Sequence, residues 1–146
     1  MATLQMAARA HTRLGSYVTR AGVVGFTLST AAIHASLGGM MFLANAVGYT
    51  GLALAMVAPG PIGQIRWLVR LALMGLTAMT IGGWLLFGAR FPLAYLDKAI
   101  EVALIAVLAF ELWRIDGGPI GVVRKAQRLL GRLAGSAGLG TARTPR

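Results

Sequence analysis

The sequence predicts an all-α, polytopic membrane protein: a bundle of four transmembrane helices followed by a C-terminal basic amphipathic helix at the membrane interface. Three observations predict it. Charged residues make up 12% of the 146 positions and hydrophobic residues 57%, against roughly 25% charge in an ordinary soluble domain. The stretch from Ala21 to Ile65 contains no Lys, Arg, Asp or Glu. Clusters of Pro and Gly then cut the remaining apolar sequence into helix-length pieces. Such hydrophobicity also excludes a disordered chain. The lack of cysteine excludes disulfides, thiolate catalysis and cysteine-held metals.

A membrane helix needs about 20 apolar residues, so the uncharged stretch holds two spans joined by a short turn. The first is expected over 17–41, after a basic N-terminal arm over 1–16. Its lead is long for a signal peptide, which favours an uncleaved signal anchor. Gly38, Gly39 and Gly48 lie near the turn, and Asn45 is expected to cap a second span over 45–58. Pro59-Gly60-Pro61 breaks the chain. A third span is expected over 65–87, with Arg66 and Arg70 snorkelling from its first turns to the interface. Gly88 to Pro92 forms the next break, and a fourth span is expected over 92–113. From 115 to 134, Ile120, Val123, Leu130 and Leu133 recur at helical spacing while Arg124, Lys125, Arg128 and Arg132 fill the opposite side. That pattern describes an interfacial helix contacting anionic headgroups or a partner. The Gly/Ser/Thr-rich tail over 135–146 is expected to be disordered.

The net charge is +10, and all four acidic residues (Asp97, Glu101, Glu111, Asp116) fall within one twenty-residue stretch. In a soluble chain such a balance would suggest nucleic acid, but here the bases flank apolar segments and no nucleic acid-binding motif accompanies them. With four spans, twelve bases fall on the side of the termini and only Arg90 and Lys98 on the other. The positive-inside rule then predicts both termini in the cytoplasm, and the Ala/Gly/Arg-rich composition points to a bacterial inner membrane.

Asp97 and Glu101 share one face of the fourth span, and Leu104, Leu108 and Glu111 continue that stripe. Lys98 is placed to pair with Glu101. An ionisable residue inside a membrane faces protein or water. The trio therefore reads either as a proton or cation site, or as a self-neutralised cluster that locks the helix to its neighbours. Its depth separates the two readings: Glu101 is close to the midplane if the helix enters at Pro92 and shallow if it enters at Leu96. Glu111 is expected to pair with Arg114 at the interface. His34, with Thr27 and Thr30, forms a polar stripe on the first span. It is a candidate ligand for haem or a chlorophyll-type pigment, or a hydrogen-bond partner for another helix. Ala31, Ala35 and Gly39, Gly75 and Gly83, and Ala99 and Ala103 are candidate close-packing positions. Trp67, Trp84 and Trp113 read as interfacial anchors.

No phosphate-binding loop, H-E-x-x-H helix or G-x-S-x-G elbow occurs, and two histidines without cysteine are few for a zinc site. The segments Phe42-Leu43-Ala44-Asn45-Ala46-Val47-Gly48-Tyr49 and Tyr95-Leu96-Asp97-Lys98-Ala99-Ile100-Glu101 resemble stretches of small uncharacterised four-helix bacterial membrane proteins. The resemblance covers residues 20 to 115 and implies the four-span fold without an activity. The expected function is non-enzymatic: an accessory or scaffolding subunit that packs with other membrane subunits or with itself. A small oligomeric proton- or cation-coupled transporter using Asp97 and Glu101 is the alternative, and a haem- or pigment-binding subunit using His34 a second one.

Overall fold

A computed structural model describes residues 2–138, with side chains described at residue 15 and over 17–135. These residues form six helices and no strand: α1 (Ala2–Leu37), α2 (Met40–Val57), α3 (Pro61–Gln64), α4 (Arg66–Phe87), α5 (Pro92–Asp116) and α6 (Gly118–Gly138). The chain divides into two compact units after Glu111. The tail beyond residue 138 lies outside the described residues, as do the side chains of Arg9, His11 and Arg13 in the N-terminal arm.

Two helices, α2 and α4, are long and apolar enough to cross a membrane. α5 has the length, at 25 residues, but Asp97, Lys98 and Glu101 interrupt its apolar run. Several boundaries differ from the expectation. The N-terminal arm is not separate, because α1 is helical from Ala2 onward and runs for 36 residues. The turn into α2 is made by Gly38 and Gly39, with φ of +69° and +84°, so α2 starts at Met40. Asn45 therefore lies within α2 and does not cap it. Gly39 itself stands at the cap with no side-chain hydrogen bond. Only glycine adopts consecutive positive φ values without strain, so this pair sets where α1 stops. α6 continues to Gly138, which makes residues 135–138 helical instead of disordered.

In the first unit, close backbone approach joins α1 to α2 and α2 to α4. Small residues permit it: Ala31, Ala46 and Ala53 are buried, and a Cβ added at Gly48 would stand 3.3 Å from Leu76 of α4. The expected close-packing series are not what brings the helices together, since Ala35, Gly39, Gly75, Gly83 and Ala99 are all exposed. Trp67, expected at the interface, is buried, whereas Trp113 is exposed. The apolar core combines Val23 and Ala31 of α1, Tyr49 and Met56 of α2, Val69 and Leu73 of α4, and Leu104 and Leu108 of α5. α5 is also tied to its neighbours by polar side chains.

Gly39→Ala places a Cβ at φ +84° and ψ 150°, a region that costs a non-glycine residue about 1–3 kcal/mol. Thermal unfolding in detergent should show a lower midpoint for this variant. Gly25→Ala, where an added Cβ meets nothing within 4 Å, should match the parent or exceed it.

Candidate functional site

The inward stripe of α5 builds the site. Its residues recur at the helical period, so Asp97, Glu101, Leu104, Leu108 and Glu111 all face inward and all are buried. Two polar centres lie on this stripe, at Asp97–Glu101 and at Glu111, separated by Leu104 and Leu108, neither of which is exposed at all. Ten residues of helix put the centres about 15 Å apart.

The first centre draws on four helices. Asp97 is 2% exposed, Glu101 0% and His34 2%. Thr30 of α1 donates its hydroxyl hydrogen to Asp97 Oδ1 at 2.5 Å. Lys98 Nζ reaches both carboxylates, at 3.0 Å from Asp97 Oδ2 and 2.5 Å from Glu101 Oε2. The other Glu101 oxygen, Oε1, accepts from Tyr49 of α2 at 3.0 Å and from Thr80 of α4 at 2.7 Å. Each carboxylate oxygen therefore has a donor, the condition under which buried charge is tolerated.

His34 completes the centre. Its Nδ1 lies 2.9 Å from the Thr30 carbonyl oxygen. A carbonyl can only accept, so Nδ1 carries the hydrogen of this contact. Among the described residues, Nε2 has no hydrogen-bond partner and stands 4.0 Å from Glu101 Oε1. The imidazole is tilted against Tyr49 and Phe42, with centroid separations of 5.6 Å and 5.9 Å. His34, Asp97 and Glu101 offer one nitrogen and two oxygens all within 4.8 Å of one another. Two histidines without cysteine had seemed too few for a metal, yet these three make a potential ligand set. Its carboxylate oxygens already hold Lys98 and three hydroxyls. A haem would need further axial ligation or an open face at His34, which is the only histidine with a described side chain.

Two carboxylates share one ammonium at this centre, and the His34 imidazole is the remaining ionisable group beside them. A cavity of about 400 Å³ leads to it, with His34, Asp97 and Lys98 along its lining. The other walls are largely apolar and aromatic, including Met41, Phe42, Met79, Trp84, Phe87 and Phe91.

At the second centre, Arg70 of α4 donates from Nε to Glu111 Oε2 at 2.8 Å, with both side chains buried. This corrects two expectations: Arg70 does not snorkel, and the described partner of Glu111 is Arg70 and not Arg114. Arg66 turns back, donating from Nη2 to the Ala58 carbonyl at 3.0 Å.

In the second unit, α6 is amphipathic as expected. Ile120, Val123, Leu130 and Leu133 are exposed, as are Arg124, Arg128 and Arg132. Lys125 differs from them, because its Nζ pairs with Asp116 Oδ1 at 2.7 Å.

The sequence brought together Asp97, Lys98, Glu101 and, on another helix, Thr30 and His34. It missed Tyr49, Thr80 and the pairing of Arg70 with Glu111. Thr77 and Thr80 near the middle of an apolar span were a usable signal; nothing local marked Tyr49. No protein-family model, curated protein or solved structure matches the chain.

Removing one partner of a buried ion pair strands the other charge, at a cost of about 3–5 kcal/mol, whereas an apolar replacement of both can be neutral. Arg70→Met and Glu111→Leu should each lower the unfolding midpoint sharply. The double variant should recover most of the loss, as read by thermal unfolding in detergent.

Proposed function

We propose that the chain is a multi-pass protein of a bacterial cytoplasmic membrane and works, as an oligomer, as a small proton- or cation-coupled transporter. In this reading α1, α2, α4 and α5 all cross the bilayer. Support comes from the burial of the polar residues of α1 and α5: Thr27, Thr30, His34, Asp97 and Glu101 are turned inward, which leaves Leu28, Leu93, Leu96, Val102 and Phe110 to face lipid. The resemblance of residues 42–49 and 95–101 to segments of small four-helix bacterial membrane proteins supports the same topology. The distribution of basic residues favours both termini in the cytoplasm. The cavity, bordered by the α1–α2 turn and by the α4–α5 connection, would then open on the opposite, extracytoplasmic side.

The observation that carries the reading is the buried cluster of Asp97, Lys98, Glu101 and His34 beside a cavity that His34, Asp97 and Lys98 line. A locking cluster needs no access, whereas this one borders a cavity. Four spans are few for one pathway, which is the reason to expect an oligomer. The reading assigns no catalytic role to any residue.

A second reading, an accessory or scaffolding subunit, is favoured by α6, whose exposed Arg124, Arg128 and Arg132 beside an exposed apolar row suit anionic headgroups or a membrane partner.

Reconstituted into liposomes with an internal pH-sensitive dye, the protein should dissipate an imposed proton gradient. Glu101→Gln should reduce that flux at least tenfold while the purified variant stays monodisperse. Undiminished flux in a folded Glu101→Gln protein would overturn the transport reading. Fixed-stoichiometry partners in native-membrane extracts, with no flux by the isolated protein, would favour the subunit reading.

A further inference from the structure

We propose that the cavity binds an uncharged aromatic carbonyl compound, its ring against the aromatic wall and its carbonyl oxygen accepting hydrogen bonds from Lys98 and Asn45. The inference goes beyond the transport reading and does not depend on it.

The polar groups of the lining define the ligand's polar end. An ammonium has three hydrogens and cannot accept. Two of those on Lys98 Nζ meet Asp97 Oδ2 at 3.0 Å and Glu101 Oε2 at 2.5 Å. The third has no acceptor among the described residues, and Lys98 lines the cavity. Asn45 lines it from α2, half-buried. Its side-chain amide makes no hydrogen bond to a described residue. The two groups stand at one level. Tyr49 and Glu101 are hydrogen-bonded at 3.0 Å, Asn45 is four residues before the one and Lys98 three before the other, and α2 and α5 both run inward from the cavity end. A polar group held away from water without a partner is costly. Since Lys98 can only donate, the ligand atom that meets it is an acceptor. A carbonyl oxygen has a second lone pair for the Asn45 amide.

The charges leave no place for an ionic ligand. Two carboxylates already share the Lys98 ammonium, so an anion finds that charge compensated. The remaining carboxylate oxygens accept from Thr30, Tyr49 and Thr80, so a cation would have to displace a donor.

The walls define the ligand's body. Phe42, Trp84, Phe87 and Phe91 line the cavity, and aromatic rings pack well edge-on or offset against one another. Trp84 is held in place beforehand. Its Nε1 donates to the Ala89 carbonyl at 3.1 Å, and Tyr95 packs edge-on at 5.3 Å between centroids. Such a wall suits a planar ring. A volume of about 400 Å³ falls in the range of small-molecule sites, roughly 300–1,000 Å³. A plain hydrocarbon would fill the walls and leave Lys98 and Asn45 without partners.

The test is titration of the protein with 2-acetylnaphthalene, isotope-labelled at its carbonyl carbon, in nanodiscs of an ether-linked phospholipid that has no ester carbonyl. Calorimetry against empty discs should show saturable binding. The carbonyl infrared stretch of the bound probe should lie at lower wavenumber than in empty discs, the mark of hydrogen bonding. The planar isostere 2-isopropenylnaphthalene, with a methylene in place of the oxygen, should bind at least tenfold more weakly once partitioning into lipid is corrected for. Asn45→Leu should weaken binding of the ketone, move its stretch part of the way back and leave the hydrocarbon's affinity unchanged. Gly83→Leu, at a lining position where an added Cβ meets nothing within 4 Å, should abolish binding by filling the cavity. Equal affinity for the two isosteres, or an unshifted stretch, would overturn the proposal in the parent protein, whatever the variants do. Loss of binding in ester-linked lipid alone would make a lipid carbonyl the occupant and overturn the assignment to a ring compound. Ketone binding without proton flux would leave this inference standing and sink the transport reading, whereas flux without ketone binding would do the reverse.

Discussion

The structure turns on keeping two carboxylates, one helical turn apart, out of water. Asp97 and Glu101 repel each other and each loses hydration on burial. Lys98 sits beside them in sequence and supplies one ammonium to both. One cation cannot satisfy four oxygens. The remaining lone pairs recruit a hydroxyl from each of the other three long helices of the first unit: Thr30 from α1, Tyr49 from α2 and Thr80 from α4. The centre thus dictates which faces of those helices turn inward. Apolar burial is non-directional. Polar bonds with fixed distances therefore contribute to the register of these helices.

That dependence explains what the sequence could and could not reveal. The α5 stripe was legible because it is a local property, five residues on one face at helical spacing. The same holds for Thr27, Thr30 and His34 on α1. Lys98 was legible as a partner of Glu101, but the partners on other helices were not, because Arg70 is 41 positions away from Glu111 and Tyr49 is 52 positions away from Glu101. Sequence proximity offered Arg114 for Glu111, and the interface offered a home for Arg70. Both local rules lost to a tertiary pairing across helices. The turn after α1 shows the opposite case. Asn45 obeyed a propensity, but Gly38 and Gly39 could take positive φ values, and that backbone freedom decided the boundary.

The close-packing residues teach a related lesson. Small residues spaced four apart were abundant, as they must be in a chain with 20 glycines, and most of those singled out lie on exposed surface. The close approaches use Ala31, Ala46, Ala53 and Gly48 instead. Spacing alone marks a groove on a helix; only the neighbouring helix determines whether the groove is used. The polar centre, by fixing the inward face, selects which grooves are filled.

The two polar centres on α5 impose a further constraint. Between Glu101 and Glu111 the inward positions are Leu104 and Leu108, packed with Leu73, Val69 and Met56 in one apolar cluster. A charge held at the first centre has hydroxyl and carboxylate partners around it and a cavity beside it; toward Arg70 and Glu111 the buried Thr77 of α4 follows Thr80, its hydroxyl bonded to the Leu73 carbonyl, and then Leu73, Leu104 and Leu108 intervene. Moving that charge through the leucine layer would expose it to hydrocarbon side chains over much of the roughly 15 Å that separates the centres along the helix. This conformation therefore gives the first centre access from the cavity and keeps it closed toward the Arg70–Glu111 pair. Any passage in that direction requires α5 to shift against α1, α2 and α4. α5 is suited to such a shift, because polar side-chain bonds that can re-pair tie it to its neighbours, while close backbone contact holds α1 to α2 and α2 to α4.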